Sequence, residues 1–151
     1  MFDWDSFTGD TIYVDSNIII FSVEAGNPWS QILKSLFQFV DERRIHLFMS
    51  ELTLAEVLVK PIADGAQDLI GTYERFLDPA SIIKVVSVDR PVLRLAAELQ
   101  AQLGVKLADA IHVATAKLNA CQFFLTNDIR LGSKLDADMP WLNLVELGER
   151  S

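Results

Sequence analysis

The chain has 151 residues, half of them hydrophobic, and a formal net charge of −8. This length and composition predict a single folded domain over residues 1–151 and exclude a disordered tail. No apolar run approaches the ~20 residues that cross a membrane. The acidic N-terminus and the lone cysteine lead us to expect a cytoplasmic protein. We expect this cysteine, Cys121, to be buried as a small apolar side chain.

The first half of the chain alternates between short β-type runs and longer helical patterns, after an N-terminal extension over residues 1–10. Its predicted elements are, in chain order, a strand at Thr11–Asp15, a helix over Pro28–Glu42 with the proline in its first turn, a strand at His46–Met49, a helix from Ser50 or Thr53 to Val59, and a helix over Ala66–Leu77.

The second half continues the alternation. Its predicted elements are a strand at Ile82–Val88, a helix over Pro91–Leu103 capped by Asp89 and ended by Gly104, a helix over Leu107–Leu118, a strand at Gln122–Thr126, a helix over Ile129–Leu135 and a strand at Leu142–Leu147. Strands that alternate with helices form βαβ units, so the pattern predicts a three-layer α/β/α domain with a parallel sheet.

Two aspartates lie where such a sheet binds ligands. Ligands of open parallel sheets bind beyond the carboxyl ends of the strands, near the point where the strand order reverses. Asp15 ends the first predicted strand, and Asp128 lies two residues past the fourth. The two carboxylates share one crevice if these strands are neighbours, although each could instead cap a turn or a helix.

Two further acids lie on predicted helices. The Thr53-x-x-Glu56 spacing is that of a capping box, in which the carboxylate of Glu56 would return to a backbone N–H. Asp109 lies in the first turn of a helix that is apolar almost all round, and a buried carboxylate is costly unless it is paired or bound to a metal. The alternative for Asp109 is a surface ion pair with His112, three residues further on.

Taken together, the four acids predict a site for a hard divalent cation. Carboxylate oxygens are ligands for hard cations such as Mg²⁺, and such an ion can lower the pKa of a water molecule and offset charge on a phosphoryl oxygen. Phosphodiester cleavage is the natural use of such a site. The chain has no Gly-rich phosphate loop, no Gly-x-Ser-x-Gly elbow and no Cys/His zinc spacing.

Four segments, in this order, resemble the motifs of the PIN-domain nucleases. They are Tyr13-Val-Asp15-Ser-Asn17, Ser50-Glu-Leu-Thr-Leu-Ala-Glu56-Val, Leu107-Ala-Asp109-Ala-Ile-His-Val-Ala-Thr-Ala and Leu125-Thr-Asn-Asp128. The resemblance extends from Thr11 to about Leu147. It implies a five-stranded parallel sheet of order 3-2-1-4-5, which makes the first and fourth strands neighbours.

The resemblance also implies roles for these residues. Asp15, Glu56, Asp109 and Asp128 would hold Mg²⁺ or Mn²⁺ and catalyse. Ser16, Asn17 and Thr126 would orient a ligand or a metal-bound water, although Ser16 and Asn17 could simply cap a helix. Small members of this kind are usually VapC-like toxins, so the resemblance implies an endoribonuclease that is often dimeric and is silenced by a cognate antitoxin.

The net charge conflicts with a large surface for RNA. Proteins that bind polynucleotides usually present a basic face, and the longest basic run here is Arg43-Arg44. An RNA-cleaving protein of this composition would touch a short stretch of chain, use metal ions for positive charge, or act with a basic partner. The candidate phosphate contacts are Lys60, Arg130 and Lys134.

Two other functions remain open on the sequence. A PIN-like module could bind RNA or a protein without cutting. A phosphatase could use Asp15 as its nucleophile, but such enzymes usually have a second aspartate two residues on, where this chain has Asn17.

The N-terminal half carries a surplus of large apolar side chains. They are Trp29, Leu33, Leu36, Phe37 and Val40 on the first predicted helix, and Phe2, Trp4 and Phe7 before the first strand. Exposed apolar patches usually mark interfaces, so the surplus predicts a homodimer, with a basic antitoxin segment on any remaining apolar groove. The alternative is that the N-terminal segment folds back over its own domain.

Overall fold

A five-stranded parallel sheet forms the centre of the protein. The computed structural model describes residues 2–24, 26–135 and 137–149. The strands are β1 (Thr11–Val14), β2 (His46–Ser50), β3 (Lys84–Val86), β4 (Phe123–Leu125) and β5 (Trp141–Leu142). Their order is β3-β2-β1-β4-β5, and all neighbouring pairs are parallel. The predicted α/β class and strand order are therefore confirmed.

Helices cover both faces of this sheet. Those of the described residues are α1 (Ser16–Val23), α2 (Ser30–Asp41), α3 (Leu52–Asp64), α4 (Gln67–Phe76), α5 (Arg90–Leu103), α6 (Leu107–Leu118), α7 (Ile129–Gly132) and α8 (Leu144–Glu149). A short 3₁₀ turn, Asp5–Phe7, precedes β1. Within the described part of the chain, no helix has both the length and the apolar character that crossing a membrane requires.

The two faces of the sheet contribute to two separate apolar clusters. Ile12 and Val14 of β1 lie in the cluster that includes residues of α1 to α4, whereas Tyr13 lies in the cluster formed with α5, α6 and α7. This split follows from the alternation of side chains along a strand. Because β1 is buried on both faces, its sequence is apolar throughout rather than alternating.

Helix α6 is the most deeply buried helix of the second cluster. Every residue from Ala110 to Ala116 is buried, as its apolar sequence predicts, whereas Leu107 and Leu118 at its ends are half exposed. Cys121 follows it as a buried free thiol, and burial raises the pKa of this thiol to about 12. The cysteine is therefore the inert small side chain that was expected.

The predicted span of the fifth strand is wrong. Only Leu142 of the span Leu142–Leu147 lies in a strand, and α8 begins two residues later. Asn143 starts this helix, because its side chain accepts the backbone N–H of Glu146 at 2.8 Å and its carbonyl accepts that of Leu147 at 3.1 Å. Leu144 and Leu147 are both buried at helical spacing, so the apolar pattern was compatible with either structure.

Other boundaries also differ from the prediction. Helix α1 was not predicted, and α2 begins at Ser30, so the placement of Pro28 in its first turn is wrong. Helix α3 continues through Pro61 to Asp64 and ends at Gly65, whose φ of 66° is left-handed.

The helix predicted to reach Leu135 ends at Gly132. A Cβ on that glycine would lie 2.2 Å from the ring of Trp141, so this close approach of α7 to β5 requires glycine.

The N-terminal extension packs against its own chain. Trp4 is completely buried, and its indole N–H donates to the carbonyl of Ile32 at 3.2 Å. Phe7 is buried and packs edge-on against Phe123, and Asp5 pairs with Arg44. The alternative in which this segment folds back is therefore the one observed.

This packing uses much of the apolar surplus that suggested a homodimer. Leu33, Leu36 and Val40 of α2 are buried, while Trp29 and Phe37 are partly buried. Fewer large apolar side chains are therefore left for a dimer interface, and the homodimer stays a prediction.

We predict that Trp4→Ala destabilises the protein by about 3–5 kcal/mol, because it leaves a large cavity and removes the indole hydrogen bond to the Ile32 carbonyl. Trp4→Phe should cost less, since it keeps most of the apolar surface and loses only part of the ring and its N–H. Urea unfolding of the three proteins would measure both effects. A loss below about 1 kcal/mol for Trp4→Ala would show that the extension is not part of the core.

Candidate active site

Asp15 lies at the carboxyl end of β1 and at the start of α1. Its side chain is buried, and both of its oxygens accept hydrogen bonds. Oδ1 accepts the backbone N–H of Ser16 at 2.8 Å, and Oδ2 accepts the hydroxyl of Thr126 at 2.8 Å and the side-chain amide of Asn17 at 3.3 Å. Thr126 reaches this carboxylate because β1 and β4 are neighbours, with Val14 opposite Leu125.

Asp128 is linked to Asp15 through the same threonine. Its backbone N–H donates to the Thr126 hydroxyl oxygen at 3.0 Å. Its Oδ1 caps α7 by accepting the N–H of Leu131 at 3.2 Å, so the capping role considered for this residue is observed. Among the described residues Oδ2 has no protein donor, and one oxygen is therefore left for another ligand.

Glu56 is directed toward Asp15 and α6 rather than toward its own helix end. The alternative of a capping box is not observed, because α3 begins at Leu52, whose N–H donates to the Ser50 hydroxyl at 3.0 Å. Oε1 of Glu56 instead accepts the Ser16 hydroxyl at 2.6 Å and lies 2.5 Å from Nε2 of His112. The side chain is one-third exposed, at 33%.

His112 was missed as a site residue by the sequence analysis. It is fully buried, and the alternative of an ion pair with Asp109 is not observed, because the carboxylate that it contacts is that of Glu56. Its Nδ1 lies 2.5 Å from the hydroxyl of Tyr13, and its Nε2 lies 3.9 Å from Oδ1 of Asp15.

These contacts shift the titration of both partners. Burial opposes the charged form of His112, but the Glu56 hydrogen bond and the nearby carboxylates outweigh it, and the pKa of His112 is raised. Burial likewise acts to raise the pKa of Glu56, but the hydrogen bond and charge of His112 and the bond from Ser16 lower it overall. Glu56 is therefore ionised at neutral pH.

Asp109 completes the group of acids. Burial raises the pKa of its carboxyl, and the negative charges of Asp15 and Asp128 raise it further. Asp109 and Asp128 also line one cavity of about 100 Å³. All four predicted acids are thus brought to the carboxyl ends of β1 and β4, near enough to influence one another electrostatically.

The acids do not converge as a closed set of ligands. In residues 2–24, 26–135 and 137–149, no three acidic, histidine or cysteine side chains meet at a point where one ion could contact them all. Asp15 and one oxygen each of Glu56 and Asp128 are held by protein donors. The chemistry of the donors still fits a hard divalent cation, because Mg²⁺ typically takes one or two carboxylates and keeps several waters.

Positive side chains line the cavity beside Asp109 and Asp128. Lys106, Arg130 and Lys134 are exposed on its wall, and within the described ranges none of them has a carboxylate at ion-pair distance. Two of these were predicted as phosphate contacts and Lys106 was not. We call Lys106, Arg130 and Lys134 the basic rim. Lys60, the third predicted contact, is exposed on α3 one turn after Glu56 and does not line this cavity.

Two spacings in the sequence could have indicated the contact between Tyr13 and His112. Tyr13 lies two residues before Asp15 at the end of a strand, and His112 lies three residues after Asp109 on a helix, so each residue shares a face with an acid of the site. Side chains on those two faces lie close together if the strand and the helix pack against each other. Lys106 could have been found from its position just before α6, whose first turn holds Asp109.

Structural comparison gives the same fold in several solved proteins. A DNA-bound VapBC structure from Salmonella typhimurium aligns with a TM-score of 0.69 at 15% identity, covering 89% of this chain and 98% of that one. A toxin–antitoxin complex from Klebsiella pneumoniae gives 0.61 at 18% identity, with 85% and 98% covered. The sarcin–ricin loop cleaving toxin VapC20 of Mycobacterium tuberculosis gives 0.65 at 14% identity, with 85% and 98% covered.

Sequence comparison identifies the family. No curated protein sequence matches the chain significantly. The family model of the PIN domain matches residues 12–134, which is most of the chain and includes the four acids, Thr126 and the basic rim. The protein therefore belongs to the PIN domain family.

Proposed function

We propose that this protein is a divalent-metal-dependent endoribonuclease and the toxin of a toxin–antitoxin pair. The observation that carries the proposal is the grouping of Asp15, Glu56, Asp109 and Asp128, which come from four separate elements, at the ligand-binding edge of a PIN domain sheet. Similar structures described as VapBC, as a toxin–antitoxin complex and as an RNA-loop-cleaving toxin support the biological role.

The four carboxylates would hold Mg²⁺ or Mn²⁺. Burial and, after it, the negative charges of the neighbouring acids raise the pKa of Asp109, so a cation would have a favourable place in the site. Such an ion would supply positive charge against the phosphodiester and lower the pKa of the attacking water.

The remaining side chains of the site would orient and bind. Asn17 and Thr126 hold one oxygen of Asp15 in place, and Ser16 does the same for Glu56. The basic rim would contact phosphates next to the bond that is cleaved. A short contact of this kind agrees with a net charge of −8, because only a few phosphates need to be neutralised.

The proposed antitoxin has a candidate surface close to the site. Along α3, Val59 and Ile62 are 69% and 60% exposed, and they share an apolar face with Leu54 and Leu58. A segment with apolar and basic side chains would complement this face and the acidic protein. A homodimer and a cytoplasmic location remain part of the proposal.

We predict that chelation abolishes cleavage of single-stranded RNA and that Asp15→Asn, Glu56→Gln and Asp109→Asn each lower the rate by several orders of magnitude. Each change removes a charge that the metal site needs. Gel assays with purified protein would measure the rates, with Asp64→Asn, an exposed change elsewhere on α3, as the matched control. Cleavage that survives Asp109→Asn would refute the assignment, and binding of RNA without any cleavage would favour a non-catalytic module.

We also predict that Asp109→Asn raises the melting temperature of the metal-free protein at neutral pH. The pKa of Asp109 is raised above its ordinary value of 3.8, so the fold disfavours the ionised form, and this penalty is complete above the folded pKa. The gain should shrink as the pH falls toward 3.8, and added Mg²⁺ should stabilise the wild type more than the variant.

Thermal melts in chelator and in Mg²⁺ would test this second prediction. Asp64→Asn should change the free energy of unfolding by less than about 0.5 kcal/mol under all these conditions. A destabilised Asp109→Asn protein in chelator would show that this carboxylate supports the fold rather than a metal.

The basic rim gives a prediction about salt. Three phosphate contacts on a single strand should make the logarithm of the binding constant fall with the logarithm of salt concentration with a slope of about −2. Replacing Lys106, Arg130 or Lys134 with glutamine should reduce the steepness by about 0.7 each, whereas Lys34→Gln on α2 should leave it unchanged. Fluorescence anisotropy with the Asp15→Asn protein would measure the slopes, and equal effects of all four changes would refute a local contact.

A further inference from the structure

A buried chain of hydrogen bonds runs beneath the candidate metal ligands. It begins at the Tyr13 hydroxyl on β1, passes through both ring nitrogens of His112 on α6, and ends at Oε1 of Glu56 on α3, with 2.5 Å at each step. Tyr13 and His112 are completely buried. The chain therefore connects three elements, and only its last member reaches solvent.

The chemistry of the groups determines the last bond of this chain. An ionised carboxylate can only accept, so Nε2 of His112 must carry the hydrogen that it donates to Glu56. Nδ1 is held by the Tyr13 hydroxyl, which fixes the orientation of the ring. Among the described residues, no buried side-chain nitrogen or oxygen lacks a partner, so these polar groups are fully satisfied.

His112 is an ionisable side chain in a helix whose other buried residues are mostly apolar, among them Ala110, Val113 and Ala114. Burying an imidazole and a phenol hydroxyl is costly unless they bond to each other and to a further group. Here that further group is the carboxylate of Glu56, so the polar pair points to a role in the site.

Glu56 differs from Asp15 and Asp128 in how it is held. The carboxylate of Asp15 accepts the Thr126 hydroxyl, and the backbone N–H of Asp128 donates to the same hydroxyl, just past the ends of the adjacent strands β1 and β4. Glu56 is on α3 instead, has a longer and more flexible side chain, and is partly exposed. The bonds from Ser16 and His112 both go to Oε1, which leaves Oε2 without a protein donor in the described chain.

We propose that His112, oriented by Tyr13, is a positioning residue that holds Glu56 as a metal ligand with Oε1 engaged and Oε2 available. This inference rests on the proposed function, because it takes Glu56 to be a ligand. It adds that the metal affinity depends on a histidine and a tyrosine that touch neither metal nor RNA.

A double-mutant cycle on Mn²⁺ affinity separates positioning from a purely structural role. In the otherwise wild-type protein, His112→Leu should weaken Mn²⁺ binding by about 10–100-fold, as changes behind a metal ligand do. In the Glu56→Ala protein, the same change should matter by less than about threefold, because the side chain through which His112 acts is gone. Titration calorimetry measures the affinities without RNA or cleavage.

Two conservative changes complete the experiment. His112→Gln, whose amide can still donate to Glu56, should keep an affinity within about threefold of the wild type. Tyr13→Phe should weaken binding, whereas the matched change Tyr73→Phe, at a buried tyrosine of α4, should not. His112→Gln and Tyr13→Phe are small changes, so they test the positioning role even if His112→Leu does not fold.

The outcomes distinguish this inference from the proposed function. If the wild type binds Mn²⁺ and the losses from His112→Leu or Tyr13→Phe are the same with and without Glu56, the positioning role is refuted and the nuclease proposal stands. If the wild type binds no Mn²⁺, the proposed function and this role both fail. Non-additive losses with rescue by glutamine establish the role.

Discussion

The hydrogen bond from Thr126 to the buried carboxylate of Asp15 is the interaction on which the site depends. It exists because β1 and β4 are neighbouring parallel strands, whose carboxyl ends lie at the same edge of the sheet. A carboxylate in this position would be unfavourable without donors, and the donors come from the start of α1 and the end of β4. The same threonine also accepts the backbone N–H of Asp128, so one pairing of strands places two of the four acids.

Charge is distributed unevenly around this edge of the sheet. Burial and, after it in size, repulsion by the neighbouring acids raise the pKa of Asp109. The three cations of the basic rim, which have no carboxylate partner in the described chain, line the cavity next to it. An acidic protein can therefore present a small, locally basic surface to a polyanion. Net charge describes long-range attraction and solubility, whereas binding at a cleft depends on the few charges that face it.

The apolar and acidic patterns predicted much of this arrangement because they depend on local spacing. Helices α5 and α6 were predicted within one residue of their observed bounds, since a capping aspartate, a proline and a glycine mark α5 and an unbroken apolar run marks α6. The C-terminal span was misassigned because Leu142, Leu144 and Leu147 fit a strand or a helix equally well. Asn143 decides between them, because its side chain accepts the backbone N–H of Glu146 and so begins α8.

The sequence by itself determined the α/β class and the four acids at their strand ends and helix starts, because periodicity and residue type are local properties. Only the tertiary structure decided which contacts these residues make. It placed Glu56 against His112 instead of in a capping box, paired His112 with Tyr13 and Glu56 rather than with Asp109, and folded the N-terminal extension onto α2. Each of these contacts joins residues far apart in the chain, and their geometry depends on how separate elements pack, which spacing along one element cannot specify.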